Sequence, residues 1–388
     1  MKKYYLISMI LIFGLHLYAC TSPRPAQNEL ITGAENLPAY LPLLQDKKVG
    51  LLVNHTSYIH QTHLLDTLLA LGVNVQTIFA PEHGFRGDMA NGETVVDGRD
   101  EKTGIPVVSL YGEHKKPTKA QLKTLDVIVY DIQDVGARFY TYISSMHYMM
   151  EACAEHSVSF VLLDRPNPNG HYVDGPVLKP GFESFVGMHP IPIVYGMTAG
   201  ELAQMILGEG WLKTSQQLQI DIIAVQNWDH EQIYPIPIAP SPNLPNDHAI
   251  NLYPSLCLFE GTKVSVGRGT DYPFQVYGYP GDSSIGSFQF EPVSKPGYSK
   301  YPKHEGQTCY GKDLRALPRL SQLDLVFLLE MYQSSPDDFF NSFFSKLAGT
   351  DVLQRQIESG MTASEIRRTW QADLNQFNTM RSQYLIYP

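Results

Sequence analysis

From residue 49 onward, short mainly apolar runs alternate with segments whose apolar positions return every three or four residues. Val49–Val53 (VGLLV) is a run of strand length, and further runs cover residues 73–79, 105–110, 127–130 and 158–163. Between them, residues 63–71 carry Leu64, Leu65, Leu68 and Leu69 at helical spacing. Residues 119–125 and 142–156 have the same period. Strands that are apolar throughout are covered on both faces, and helices between them supply the crossovers of a parallel sheet. The pattern predicts an α/β fold, a parallel sheet of Rossmann-like or flavodoxin-like architecture.

A further helix is expected over residues 198–207, where Thr198 stands three positions before Glu201, the spacing of a capping box. No G-x-G-x-x-G follows the first strand, so the pattern gives no support for dinucleotide binding. Residues 235–246, PIPIAPSPNLPN, read as a rigid connector. Beyond it the texture changes. Residues 261–310 are dense in Gly, Pro, Tyr and Ser, and residues 320–385 are helical in pattern. The expected division is a first domain over 31–247 and a smaller α+β C-terminal domain over 248–388.

The N-terminus stands apart. Lys2 and Lys3 precede an apolar stretch over residues 4–17 that is short for a membrane span and has the form of an export signal. It ends in Leu17-Tyr18-Ala19-Cys20, which resembles the bacterial lipobox, in which the cysteine is lipidated and becomes the new N-terminus. The expectation is a signal peptide over 1–20, a polar tether over 21–30, and a protein exported to the cell envelope and held at a bacterial membrane through lipid on Cys20. Three cysteines remain. Cys153 and Cys257 lie in apolar patterns and read as buried small hydrophobes, with Cys309 undecided. Net charge is −10 with no basic stripe, which argues against a nucleic-acid partner.

In open parallel sheets, ligands sit beyond the carboxyl ends of the strands. Here those ends run into Asn54-His55-Thr56-Ser57, then Ala80-Pro81-Glu82-His83-Gly84-Phe85-Arg86-Gly87, then Tyr111-Gly112-Glu113-His114. The fourth and fifth run into Asp131-Ile132-Gln133-Asp134-Val135-Gly136-Ala137-Arg138 and Asp164-Arg165-Pro166-Asn167. Five polar loops on one edge predict a site there.

The stretches VGLLVNHTSY, FAPEHGFRGD, YDIQDVGARFYTYI, LDRPNPNG, PSPNLP and YPSLCLFEGTKVSVGRGTDYPF, in this order, resemble the NamZ family of exo-β-N-acetylmuramidases. The resemblance runs from Val49 to the C-terminus. It implies a Rossmann-like catalytic domain, a smaller C-terminal domain and a cleft between them. It also implies release of N-acetylmuramic acid from the non-reducing ends of peptidoglycan fragments, with the glutamate of E-H-G-F-R-G, here Glu82, as the key carboxylate.

Glycoside hydrolysis needs an acid to protonate the leaving oxygen and usually a second carboxylate on the anomeric side. Glu82 is the expected acid. Asp131 and Asp164 are candidates for the second group; the alternative is the substrate's own acetamido oxygen, and both routes stand at this point. The lactyl carboxylate of N-acetylmuramic acid calls for an arginine, which grips such a group through paired hydrogen bonds. Candidates are Arg86, Arg138, Arg165 and Arg268, the last in a glycine-flanked loop of the second domain. Asn54, His55, His83, Asp134, Tyr142 and Asn167 complete the expected sugar-binding set. His55, His83 and His114 show neither H-E-x-x-H spacing nor a tight cluster, so no metal is expected, and no cofactor. The competing reading is a lipid-anchored sugar- or muropeptide-binding protein without catalysis.

Overall fold

A computed structural model of the protein describes residues 29–85, 97–334 and 337–388. The proposed signal peptide with Cys20, most of the proposed tether, and Arg86 lie outside the described residues.

The chain opens with α1 (Leu37–Leu44), β1 (Val49–Val53), a small hairpin of β2 (Tyr58–Ile59) and β3 (Thr62–His63), α2 (Leu64–Ala70) and β4 (Val75–Ala80). It continues through β5 (Gly98–Arg99), β6 (Pro106–Ser109), α3 (Lys119–Leu122), β7 (Val127–Asp131), α4 (Tyr142–His156), β8 (Ser159–Leu163), α5 (Ala199–Gly208) and β9 (Ile220–Ile223). Seven strands form one sheet in the order β5-β6-β4-β1-β7-β8-β9. Every pairing is parallel except that of the short β5 with β6.

Alternation of side chains across each strand explains the apolar runs. Leu51, Val53, Ile78 and Val129 point to one face and pack with Leu44 of α1 and Leu64 and Leu68 of α2. Leu52, Phe79, Tyr130 and Phe160 point to the other and pack with Met146 and Met150 of α4 and Leu202 of α5. Thr198 caps α5 as expected, receiving the Glu201 N–H at 3.2 Å while the Glu201 carboxylate receives the Thr198 N–H at 2.9 Å. From β1 the chain winds outward to β4 and β6, then returns to β7 on the opposite side of β1. Such a reversal opens a crevice at the strand ends.

The second part begins with α6 (Asp247–Leu256), capped by the Asn246 side chain, so a boundary between 247 and 248 falls in the first turn of this helix. A 3-10 turn (Cys257–Gly261) leads to an antiparallel sheet of β10 (Val276–Pro280), β11 (Phe288–Phe290) and β12 (Cys309–Asp313), with β12 in the middle. Helices α7 (Val326–Ser334), α8 (Phe344–Ala348), α9 (Val352–Glu358), α10 (Ala363–Thr369) and α11 (Gln371–Arg381) complete it. Cys153, Cys257 and Cys309 are buried free thiols.

The two parts share one apolar core, which runs from Leu52 and Tyr130 to Phe344 and Phe377. The chain's last residues return to the first sheet. Glu201 Oε1 accepts the Ile386 N–H at 2.9 Å and the Tyr387 N–H at 3.2 Å. The Tyr387 hydroxyl donates to Asp164 Oδ2 at 2.7 Å.

Candidate active site

β4 ends at Ala80, and the chain turns at once: the Gly84 N–H bonds the Pro81 carbonyl at 3.0 Å. Two consecutive residues of this turn, His83 (φ 70°) and Gly84 (φ 77°), are left-handed. Glycine adopts that conformation freely. A buried histidine does so against a cost of about 1–2 kcal/mol, held by its surroundings. The turn leaves Glu82 facing a cleft at the strand ends. Its carboxylate accepts the Tyr111 hydroxyl at 2.8 Å from the β6 loop and the Thr141 hydroxyl at 2.7 Å from the β7 loop. Thr141 occupies the N-cap of α4 but makes no side-chain cap bond, its hydroxyl being given to Glu82. Burial, reinforced by the Glu82 carboxylate, raises the Tyr111 phenol above its ordinary value. Both hydroxyls can donate or accept, so they can hold this carboxyl in either protonation state.

The cleft encloses about 850 Å³, its solvent-open mouth included. Its far wall comes from the second part and carries Tyr253, Glu260, Arg268 and Phe274. Gly267 (φ 76°) and Gly269 (φ 82°) flank Arg268 in conformations that suit only glycine without strain. The guanidinium lies over the Phe274 ring, 4.9 Å from its centre, and its Nε donates to Glu260 Oε1 at 2.7 Å. Burial alone would raise the Glu260 carboxyl. Arg268, with Lys303, outweighs that and holds it below its ordinary value.

The structure thus brings Glu82, His83 and Arg268 together in one cleft. It uses most of the other expected residues within the fold. Asp131 and Asp164 lie at the same sheet edge as Glu82, as expected, but neither is available as the second catalytic group. Asp131 is fully buried and receives Arg165 through two bonds, Nε to Oδ1 at 2.5 Å and Nη2 to Oδ2 at 2.9 Å. Asp164 is also fully buried, enclosed by donors from Thr198 (2.6 Å), Gly200 (2.9 Å) and Tyr387 (2.7 Å). Burial pushes its carboxyl up to about 6. Asp134 accepts the Gly136 N–H at 2.8 Å and the Tyr195 hydroxyl, and burial pushes it up to about 6 as well.

Two arginine candidates are likewise committed. Arg165 is taken by Asp131 and by the Tyr58 carbonyl at 3.0 Å. Arg138 is fully buried and donates to the carbonyls of Pro176 (2.8 Å), Ile191 (2.7 Å) and Leu347 (2.9 Å), which pins α8 to the first part. Burial lowers it to about 9. Asn54 holds the first loop in shape through Thr56 at 2.8 Å, and Asn167 bonds the Met197 carbonyl at 2.8 Å. His55 and Tyr142 support the cleft from behind: His55 Nε2 donates to the Ala239 carbonyl at 2.8 Å and Tyr142 to that of Pro240 at 3.3 Å.

Those two contacts correct the reading of PIPIAPSPNLPN as a connector alone. The segment crosses the strand ends and forms a wall of the cleft through Ser241, Asn243 and Leu244. Thr141 and Glu260 were also absent from the expected site. Both lie inside quoted family stretches, which was their only signal in the sequence.

A doubly covered α/β sheet whose strand-end loops meet a second part over a carboxylate-bearing cleft defines a two-part α/β enzyme. Residues 49–248 match the family described as Exo-beta-N-acetylmuramidase NamZ, N-terminal, and residues 251–387 match its C-terminal counterpart. The chain belongs to this family. It is 36% identical over 409 aligned residues to the peptidoglycan beta-N-acetylmuramidase NamZ of Bacillus subtilis strain 168, with 97% of each chain covered. Among solved structures it is similar to two DUF1343 family proteins of Bacteroides fragilis. One is 46% identical with a TM-score of 0.85 and the other 29% identical with a TM-score of 0.82; each match covers 92% of this chain and 99% of the other.

Proposed function

We propose that this protein is an exo-acting glycosidase that releases N-acetylmuramic acid from the non-reducing ends of peptidoglycan fragments. Family membership supplies the reaction. The observation that carries it to residues is Glu82, held by Tyr111 and Thr141 in the cleft that Arg268 faces. Glu82 is the proton donor to the leaving oxygen. Among the described candidates Arg268 is the arginine that meets the lactyl carboxylate, since it lines the cleft while Arg138 and Arg165 are enclosed in the fold. A binding protein without catalysis is not favoured.

The anchoring proposal rests on the sequence. Cys20 is the lipid attachment point, residues 1–20 the signal peptide, and the enzyme acts in the cell envelope on fragments within reach of a bacterial membrane.

Turnover of 4-nitrophenyl N-acetyl-β-muramide tests the activity. Release of 4-nitrophenol by the wild type, together with a loss of about a hundred- to ten-thousandfold in the release of N-acetylmuramic acid from the unactivated disaccharide by Glu82→Gln, is the expected pair of results. A wild type that binds the muramide and never releases the aglycone would overturn the assignment.

A further inference from the structure

Within the cleft, Glu260 is the only carboxylate besides Glu82 among the described lining residues. It stands in a fixed couple with Arg268. The guanidinium uses its Nε edge, with Nε at 2.7 Å from Oε1 and Nη2 at 3.4 Å from Oε2. This mode of pairing leaves two things over. Nη1 has no hydrogen-bond partner among the described residues, and Oε2 is engaged only by the long contact. Both side chains keep some exposure, 18% for Arg268 and 24% for Glu260, and both line the cleft.

The couple is also stiff. Phe274 backs the guanidinium, and the loop is tied by the Thr270 N–H on the Gly267 carbonyl at 3.0 Å and the Val293 N–H on the Gly269 carbonyl at 3.1 Å. Behind Glu260, Lys303 Nζ is held by the carbonyls of Phe259 (2.9 Å), Glu260 (3.2 Å), Thr262 (2.6 Å) and Val264 (3.3 Å). Two cations against one carboxylate make this wall net positive, which suits an anionic ligand.

We propose that the Glu260–Arg268 couple reads two adjacent substituents of the sugar at once, its guanidinium end the lactyl carboxylate at C3 and its free carboxylate oxygen the acetamido N–H at C2. The inference rests on the proposed muramidase activity and extends it to substrate discrimination. An anionic acceptor and an N–H donor on neighbouring ring carbons are the complement of a donor and an acceptor held side by side. N-acetylglucosamine satisfies only Glu260. A sugar with the lactyl group but no C2 N–H satisfies only Arg268. Full recognition is given to N-acetylmuramic acid, because each half left unmatched keeps a desolvated polar group without a partner. Glu260 has a second effect: it neutralises Arg268 in part, so the wall does not hold simple anions indiscriminately.

Binding of reaction products tests this separately from turnover. Affinities are measured by calorimetry for N-acetylmuramic acid, its neutral lactyl amide and the 2-acetoxy analogue that lacks the N–H. Wild-type enzyme is expected to bind the acid on the order of tenfold or more above the amide. In Arg268→Ala the preference should invert, because Glu260 is left facing the ligand's carboxylate. In Glu260→Gln/Arg268→Ala the acid and the amide should bind alike. Glu260→Ala should weaken the acetamido sugar relative to its acetoxy analogue. Misfolding does not produce an inversion followed by its cancellation, and the wild-type comparison of acid with amide needs no variant. Equal affinity of the wild type for acid and amide would overturn the proposal. So would an acid-to-amide ratio that is the same in Arg268→Ala and the double variant. Absence of muramide turnover by the wild type would instead remove the activity on which the proposal rests.

Discussion

Thr141 and Glu82, 59 residues apart in the chain, are joined by a 2.7 Å hydrogen bond from the threonine hydroxyl to the carboxylate. The bond links the loop after β4 to the N-cap residue of α4, so the orientation of the reactive group is set by the sheet and by the start of a long helix together. Tyr111 fixes the other oxygen. A carboxyl gripped at both oxygens has little rotational freedom left, which is what a proton donor to one particular oxygen requires.

Replacing Glu82 by glutamine keeps the shape and an acceptor for these hydroxyls but removes the transferable proton. The expected loss in kcat on N-acetylmuramyl-N-acetylglucosamine is about a hundred- to ten-thousandfold. An aryl leaving group needs less protonation, so the same variant should be less impaired on 4-nitrophenyl N-acetyl-β-muramide. The melting temperature should stay near that of the wild type. A variant equally damaged on both substrates would mark Glu82 as a nucleophile.

The Asp131–Arg165 pair makes the opposite prediction. It is buried and shares its charge-assisted bonds with the hairpin carbonyl of Tyr58. Removing one partner leaves the other charged and buried, at a cost of about 3–5 kcal/mol. Arg165→Met should therefore lower stability in chemical denaturation while activity per folded molecule is retained. A stable Arg165→Met enzyme with a raised KM for muramides would return Arg165 to the substrate.

Asp134 offers a test by pH. Its carboxyl is pushed up to about 6 from 3.8 by burial, against the opposing bonds from Tyr195 and Gly136. The folded state therefore holds a proton that the unfolded chain releases between about pH 4 and 6. Below that window both states are protonated and the group is neutral in its effect; above it, the fold carries an ionised buried carboxylate. Asp134→Asn keeps an acceptor for both donors and removes the charge. Relative to wild type, the variant should gain stability on going from pH 4 to pH 8, by about 3 kcal/mol at most. Denaturant titrations of both proteins at the two pH values give the difference directly. An unchanged difference would mean that the carboxyl titrates alike in both states.

The Cys20 proposal is tested in cells. Cys20→Ser should leave the soluble enzyme's activity intact while releasing it from the membrane fraction or blocking its maturation. A variant that matures and fractionates like the wild type would remove the anchor.

The alternation of strands and helices is readable because both faces of the sheet are covered, which makes β1 apolar from end to end and β7 and β8 apolar but for one terminal residue each. β5 and β9 carry no such signal: β5 is two residues long, and β9 is an edge strand with only one buried position. The strand-end loops were readable as a polar edge, but their division of labour was not. Asp131, Asp134 and Asp164 share a sequence texture with Glu82. What separates them is enclosure: the three aspartates are buried among their donors, as Asp164 is beneath Tyr387 from 223 positions away, whereas Glu82, though held by Tyr111 and Thr141, lines the cleft. The role of Glu260 was hidden for the same reason in reverse: its partner Arg268 was conspicuous between glycines, while the glutamate lay in an apolar stretch that reads as core.

The return of the C-terminus has a consequence for how the protein folds. Glu201 and Asp164 are completed by backbone and hydroxyl donors from the final residues, Ile386 and Tyr387. A chain that has formed the first sheet still holds two buried carboxylates short of these partners until residues 386 and 387 dock against it. The closing bonds of the first half thus wait on a segment far along the chain, and a variant lacking residues 386–388 should accumulate in an incompletely locked state.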